Sequence, residues 1–307
     1  MSGFNDWSQG SVGLELTHES VIAACVGEGD EVIGRNVFTG LAETDAFDRL
    51  SAVIGAIVSS SPETKTVGLA LPGLVDRANG RIAHSTVIEF ENAGGLAEAL
   101  FEQTGVHAVL ENDANAAAIA EMRIGAGRGA ENMFYATLGE GIGGAIVLNG
   151  EIWRGDSGYA GEFGNISINS EGMRLEEIAS ARSVVRRTRS RFRQDSTSSL
   201  SKLEENEITI EAIIDAALKE DDFALMMLER TGTYVGTAVA TVINLLNIQR
   251  VVIGGSVMQA GDTVLEAITG RARELAFGPA FEHTTFAVGE LGREASAIGA
   301  AMALTDK

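Results

Sequence analysis

From Ser11 onward the apolar positions first alternate (Val12, Leu14, Leu16) and then run unbroken from Val21 to Val26. Alternation marks a half-buried strand, and a short continuous run marks a fully buried one. Two strands are therefore predicted, with a turn near His18-Glu19. The turn Gly27-Glu28-Gly29-Asp30 leads into a third strand over residues 31–38. The period then becomes helical, with Phe47, Leu50, Val53, Ile54, Ile57 and Val58 on one face of a helix over 44–60. A short apolar strand over 66–71 is stopped by Pro72-Gly73. A helix is predicted over 94–104, a strand over 108–110 and a helix over 114–124. Strands over 133–138 and 144–148 flank a glycine turn as a hairpin.

The second half predicts one helix over 175–194 and a polar, Ser-rich loop over 195–206. Helices follow over 209–218 and 222–246, then a strand Val251-Val252-Ile253 ending in Gly254-Gly255. A helix over 262–276, a strand over 285–288 and a small-residue helix over 294–304 complete the chain. Strand, helix, strand and glycine turn thus occur in both halves. That order predicts two similar α/β lobes, one over 1–125 and one over 126–307, with the last helix packed back on the first lobe. Ligands of open α/β sheets bind in a crevice at the strand ends, here expected as a cleft between the lobes.

Composition narrows the class. The chain has 307 residues, of which 45% are apolar and 21% charged, the profile of a globular protein rather than a disordered one. The formal net charge of −20 opposes contact with nucleic acid and with anionic lipid. The six arginines at 182, 186, 187, 189, 191 and 193 form the one basic run, which reads as a solvated helix face before it reads as a nucleic-acid patch. Cys25 is the single cysteine, which excludes an internal disulfide and any cysteine-based zinc site and points to a reducing compartment. No apolar run approaches the ~20 residues of a membrane span, and the first residues lack a signal-peptide pattern. A cytoplasmic protein with no membrane partner is expected.

The candidate chemistry lies in four places. In Glu111-Asn112-Asp113-Ala114-Asn115, Asp113 opens an Ala-rich helix. A carboxylate there is compatible with a simple helix cap and with a base that takes a proton from an attacking alcohol. The flanking Asn112 and Asn115 suit sugar hydroxyls. Gly139-Glu140-Gly141-Ile142-Gly143-Gly144 lets backbone N–H groups approach an anion, although glycine-rich turns are common without one. Gly161-Glu162-Phe163-Gly164 offers Glu162 either as a bridge between two hydroxyls or as a loop carboxylate satisfied by backbone. Gly254-Gly255-Ser256 permits close approach of a ligand or serves as a tight strand-to-helix turn. His84, His107 and His283 show no metal spacing, and Met226-Met227 sit at helical core positions.

Taken together, these stretches resemble the ROK family of bacterial sugar kinases and sugar-responsive repressors. The resemblance rests on Leu71-Pro72-Gly73-Leu74-Val75-Asp76, Glu111 to Ala116, Gly139 to Gly144 with Asn149-Gly150, Ala160 to Gly164, Ile253-Gly254-Gly255, and Leu291-Gly292 through Gly299-Ala300-Ala301. It covers nearly the whole chain from Val12. It implies a two-lobed actin-like ATPase (ribonuclease H-like) α/β fold, a sugar and Mg-ATP as ligands, and a homodimer. It makes Asp113 the base toward a sugar hydroxyl. Gly73, Asn112, Glu162, Asn165 and Glu176 become sugar-side residues, and Gly139, Gly141, Gly143, Gly254 and Gly255 nucleotide contacts.

The departures from the family pattern are specific. Where its kinases read Asp-Ile-Gly-Gly-Thr-Lys, this chain reads Glu15-Leu16-Thr17-His18-Glu19-Ser20. Both glycines and the lysine are replaced, and Glu140 stands where kinases usually carry Thr. Each change disfavours a triphosphate, by charge or by blocking backbone approach. The family's Asn before an aromatic is Val87, with Phe90 in the aromatic place. The zinc histidine is Asn165 and the Cys-rich loop is deleted ahead of Leu175-Glu176, so no zinc is expected. The segment before Val12 is too short for a helix-turn-helix, so a member without a DNA-binding domain is expected. Three functions compete: an ATP-dependent hexose kinase, a catalytically silent sugar-binding sensor, and a kinase for an unusual substrate or donor with a loop rebuilt around His18 and Ser20.

Overall fold

The computed structural model describes residues 7–40, 45–85 and 93–305; Val87 and Phe90 lie outside the described residues. The chain divides into two compact units, Met1–Arg128 with Ile152–Ala160 and Arg293–Lys307, and Gly129–Glu151 with Gly161–Gly292.

The first unit opens with strands β1 (Ser11–Leu16), β2 (Val21–Val26) and β3 (Val32–Phe38), followed by α1 (Ala46–Ser60) and β4 (Thr66–Leu71). A short hairpin of β5 (Leu74–Asp76) and β6 (Arg81–His84) comes next, then α2 (Leu96–Thr104), β7 (His107–Asn112) and α3 (Asp113–Ile124). The sheet order is β3-β2-β1-β4-β7, with β1, β4 and β7 parallel and β2 and β3 antiparallel. The six residues of β2 are all buried, as their unbroken apolar run predicts. Leu14, Leu50, Ile54, Leu69, Leu96 and Leu100 anchor the core on one face of the sheet.

The second unit repeats the plan. Its strands β8 (Met133–Leu138), β9 (Ile142–Leu148) and β10 (Glu151–Ile152) are followed by helices α4 (Leu175–Ala179), α5 (Ala181–Arg189), α6 (Ile210–Ala217) and α7 (Asp222–Leu246). The unit continues with β11 (Arg250–Gly254), α8 (Asp262–Leu275), α9 (Gly278–Glu282) and β12 (Thr285–Val288). The order is β10-β9-β8-β11-β12, with β8, β11 and β12 parallel. The helix predicted over 175–194 is broken. Ser180 has extended backbone (φ −65°, ψ 157°) and its hydroxyl accepts the Ser183 N–H, so it caps α5 instead of continuing α4. The predicted open loop over 195–206 contains two 3-10 turns and a fully buried Leu200.

The final helix, α10 (Ala295–Met302), packs in the first unit against α3, β1 and β4. Ala70, Ala116 and Ala300 meet there. At the crossing a Cβ added to Gly299 would lie 1.6 Å from the Ala116 carbonyl oxygen. Only a residue without a side chain lets the two helices approach so closely.

Candidate functional site

In the first unit, register brings Glu15, Ala70 and Glu111 into one row across β1, β4 and β7. The parallel strands therefore deliver Glu15, the Pro72-Gly73 turn and Asn112-Asp113 to one end of the sheet. Asn112 caps α3, its Oδ1 accepting the Asn115 N–H at 3.0 Å. Its Nδ2 donates to the Gly73 carbonyl and to Asp113 Oδ1, each at 3.1 Å. Asp113 Oδ1 also accepts the Ala114 N–H at 2.8 Å. Asn112 is thus the cap and Asp113 the first helical residue, where its Oδ1 also serves the start of the helix through the Ala114 N–H. Gly73 sits at φ +113°, where a Cβ would strike the His84 carbonyl oxygen at 2.4 Å.

Glu15 faces Asp113. Burial, then the Asp113 carboxylate, pushes its pKa up to about 8, against smaller opposing effects of a Ser296 hydrogen bond and of Arg293. Its Oε2 is buried without a hydrogen-bond partner. Burial disfavours the ionised form and the Asp113 charge adds to that, which favours the protonated Glu15 carboxyl.

The turn after β1 is closed on itself. Thr17 and Ser20 hydroxyls share a 3.0 Å hydrogen bond, and the Thr17 N–H donates to the Ser20 carbonyl at 2.9 Å. The buried Arg49 guanidinium donates to the carbonyls of Thr17 (2.6 Å), His18 (3.0 Å) and Ser20 (3.1 Å). His18 and Glu19 are exposed at the tip. A turn tied down in this way, with an added carboxylate, differs from the open glycine loop that wraps a phosphate.

In the second unit the predicted nucleotide-side glycines come together. The Gly139 N–H donates to the Gly141 carbonyl at 3.0 Å, and the Ala181 N–H at the start of α5 donates to the Gly139 carbonyl at 2.8 Å. Gly254 pairs with Thr137, and Gly255, at φ +94°, passes so close to the end of β8 that a Cβ would lie 2.4 Å from the Leu138 oxygen. The turn after β11 therefore lies beside the β8–β9 turn. Both turns are glycine-rich, and Glu140 is exposed in the β8–β9 turn.

The predicted sugar-side residues of this unit also cluster. Asn165 Nδ2 donates to Glu162 Oε2 at 2.8 Å, and Asn165 Oδ1 accepts from Arg174 Nη1 at 3.2 Å. Glu176 Oε2 accepts the Ile142 N–H at 2.8 Å, which ties α4 to the glycine turn, and its Cβ would lie 3.3 Å from a Cβ on Gly164. Among the described residues no group of three or more His, Cys, Asp or Glu is placed to hold a metal ion. No described helix is long and apolar enough to cross a membrane.

Sequence reasoning missed Arg49, Arg77 and Arg154. Arg77 and Arg154 both reach the buried Glu111, and nothing in local spacing links positions 77, 111 and 154.

A model of the ROK family matches residues 11–307. The chain is 34% identical over 270 residues to a glucokinase of Halalkalibacterium halodurans, covering 84% of this chain and 82% of that one. It is 33% identical over 214 residues to the N-acetylglucosamine repressor of Escherichia coli, covering 67% of this chain and 52% of the repressor. A ROK family glucokinase from Streptomyces griseus, solved in complex with glucose and AMPPNP, superposes with a TM-score of 0.83 at 26% identity, over 95% of this chain and 98% of that chain. The fold is the actin-like ATPase fold.

Proposed function

The chain belongs to the ROK family, and we propose that it is a sugar kinase of that family, with Asp113 as the base toward a hydroxyl of a hexose or related sugar. The observation that carries this reading is the placement of Asp113. Its carboxylate stands at the C-terminal end of the parallel strands β1, β4 and β7, on the first residue of a helix, with Oδ1 fixed by Asn112 and Ala114. A base held in one orientation raises the chance that a bound hydroxyl meets it correctly. Gly73, Asn112, Glu162, Asn165 and Glu176 are the proposed sugar contacts. Gly139, Gly141, Gly143, Gly254 and Gly255 are the proposed nucleotide contacts. Bound there as its magnesium complex, ATP supplies the phosphoryl group. The likeness to glucokinases supports the assignment.

One observation favours a second reading, a sugar-binding protein without turnover. The Thr17–Ser20 turn is satisfied internally and by Arg49, and carries Glu19 where kinases carry the threonine of their phosphate loop. The likeness to an N-acetylglucosamine repressor agrees with it. ADP release with Mg-ATP across hexoses, N-acetylhexosamines and cyclitols separates the two. Sugar-dependent release is expected, and Asp113→Asn should lower it by about 10²–10⁴-fold, the usual worth of a positioned base. Folded protein that releases no ADP with any sugar would leave the binding reading.

A further inference from the structure

Glu111 is 3% exposed, and both its carboxylate oxygens are taken. Oε2 accepts from Arg77 Nη1 at 2.9 Å and from Arg154 Nη2 at 2.5 Å. Oε1 accepts from Asn115 Nδ2 and from the Asn112 backbone N–H, each at 3.1 Å. One buried negative charge is met by two guanidiniums, one more than charge balance asks. Arg154 is not fully satisfied either, because its Nε is buried without a partner. Buried ion pairs of this kind are poor sources of stability, and replacing them with apolar side chains of similar size is often neutral. Stability therefore does not explain the second arginine.

Its connections do. Arg154 belongs to the segment Ile152–Ala160 of the first unit. Its carbonyl accepts the Ala160 N–H at 3.0 Å, so Arg154 closes the base of the glycine loop over 155–160. Its guanidinium ties that base to Glu111. From Glu111 the chain of hydrogen bonds runs through the Asn112 backbone to the Asn112 side chain and on to Asp113 Oδ1. Arg77 adds the turn after β5 and reaches the Ala303 carbonyl beyond α10.

We propose that Arg154 is a positioning residue: by clamping Glu111 it locks the loop over 155–160 to the end of β7 and fixes the direction of the Asp113 carboxylate. The proposal rests on the kinase reading above. A positioning group acts on the reacting geometry and not on ground-state affinity, so its loss lowers kcat and leaves KM nearly untouched.

The experiment compares the wild-type full chain with Arg154→Met and Arg154→Lys. Arg154→Met keeps Arg77 on Glu111, so no carboxylate is stranded, and its denaturation midpoint should stay near that of the wild type. Its kcat should fall at least tenfold, with the sugar KM within threefold, and Arg154→Lys should recover part of the loss. A wild-type kcat in folded Arg154→Met would overturn the clamp, and so would a loss carried by KM alone. A wild-type chain that binds sugar and turns nothing over would overturn the kinase reading instead, and the clamp with it. Should Arg154→Met fail to fold, Arg154→Lys carries the decision, since unchanged kcat and unfolding would each contradict a positioning role.

Discussion

The Glu15 carboxyl is pushed up to about 8 from an ordinary 4.5, first by burial and then by the Asp113 carboxylate. Below pH 4.5 the group is protonated in both the folded and unfolded chain. Between about 4.5 and 8 the unfolded chain has released the proton while the folded chain keeps it, so stability falls as pH rises. Above about 8 the buried carboxylate is ionised in both states and the loss is complete. Glu15→Gln removes this dependence: denaturation midpoints of variant and wild type should diverge in favour of the variant from pH 5 to pH 8.5. Parallel curves would show that Glu15 is not held protonated. At this scale the place of Asp113 in the fold is legible, because a carboxylate at the mouth of an Ala-rich helix after an apolar strand is a local pattern. The sequence says nothing of the Glu111 network, whose members at 77, 111, 115 and 154 meet only through the fold.

Among the elements, most strands and the long helix over Asp222–Leu246 are legible, because apolar period decides them and tertiary packing agrees. The break at Ser180 is not: the apolar positions on either side stay in helical phase, and only the capping hydroxyl and extended backbone stop α4. The β5–β6 hairpin escapes for another reason, since its strands have three and four residues and no alternation to read. The small-residue helix is legible, and what makes it small is the α3–α10 crossing. Gly299→Ala should lower stability by about 1–3 kcal/mol, the usual range for overpacking a filled core, read as a shift in urea midpoint. An unchanged midpoint would mean that the two helices can slide apart at no cost. Gly261→Ala tests backbone strain without that contact, because its Cβ meets no heavy atom within 4 Å although φ is +71°.

For the whole molecule, the chain divides into two units with the same strand plan. The first carries Asp113, Asn112 and the altered turn after β1. The second carries the glycine turns and the Glu162–Asn165–Glu176 cluster. The net charge of −20 is unfavourable to a triphosphate at long range, so a nucleotide at the proposed glycine turns would depend on local contacts. The α/β order is readable from sequence because it follows from strand and glycine positions. How the phosphate turn is satisfied is not, because Arg49 reaches it from α1, about thirty residues away in sequence. The central claim is that a sugar bound beside Asp113 is phosphorylated. The most direct measurement is the mass and phosphorus NMR spectrum of the sugar recovered after incubation with the full chain and Mg-ATP. The kinase account predicts a sugar monophosphate formed in equal amount with ADP, and absent with Asp113→Asn. A sugar that binds the wild-type protein and is recovered unmodified would contradict it.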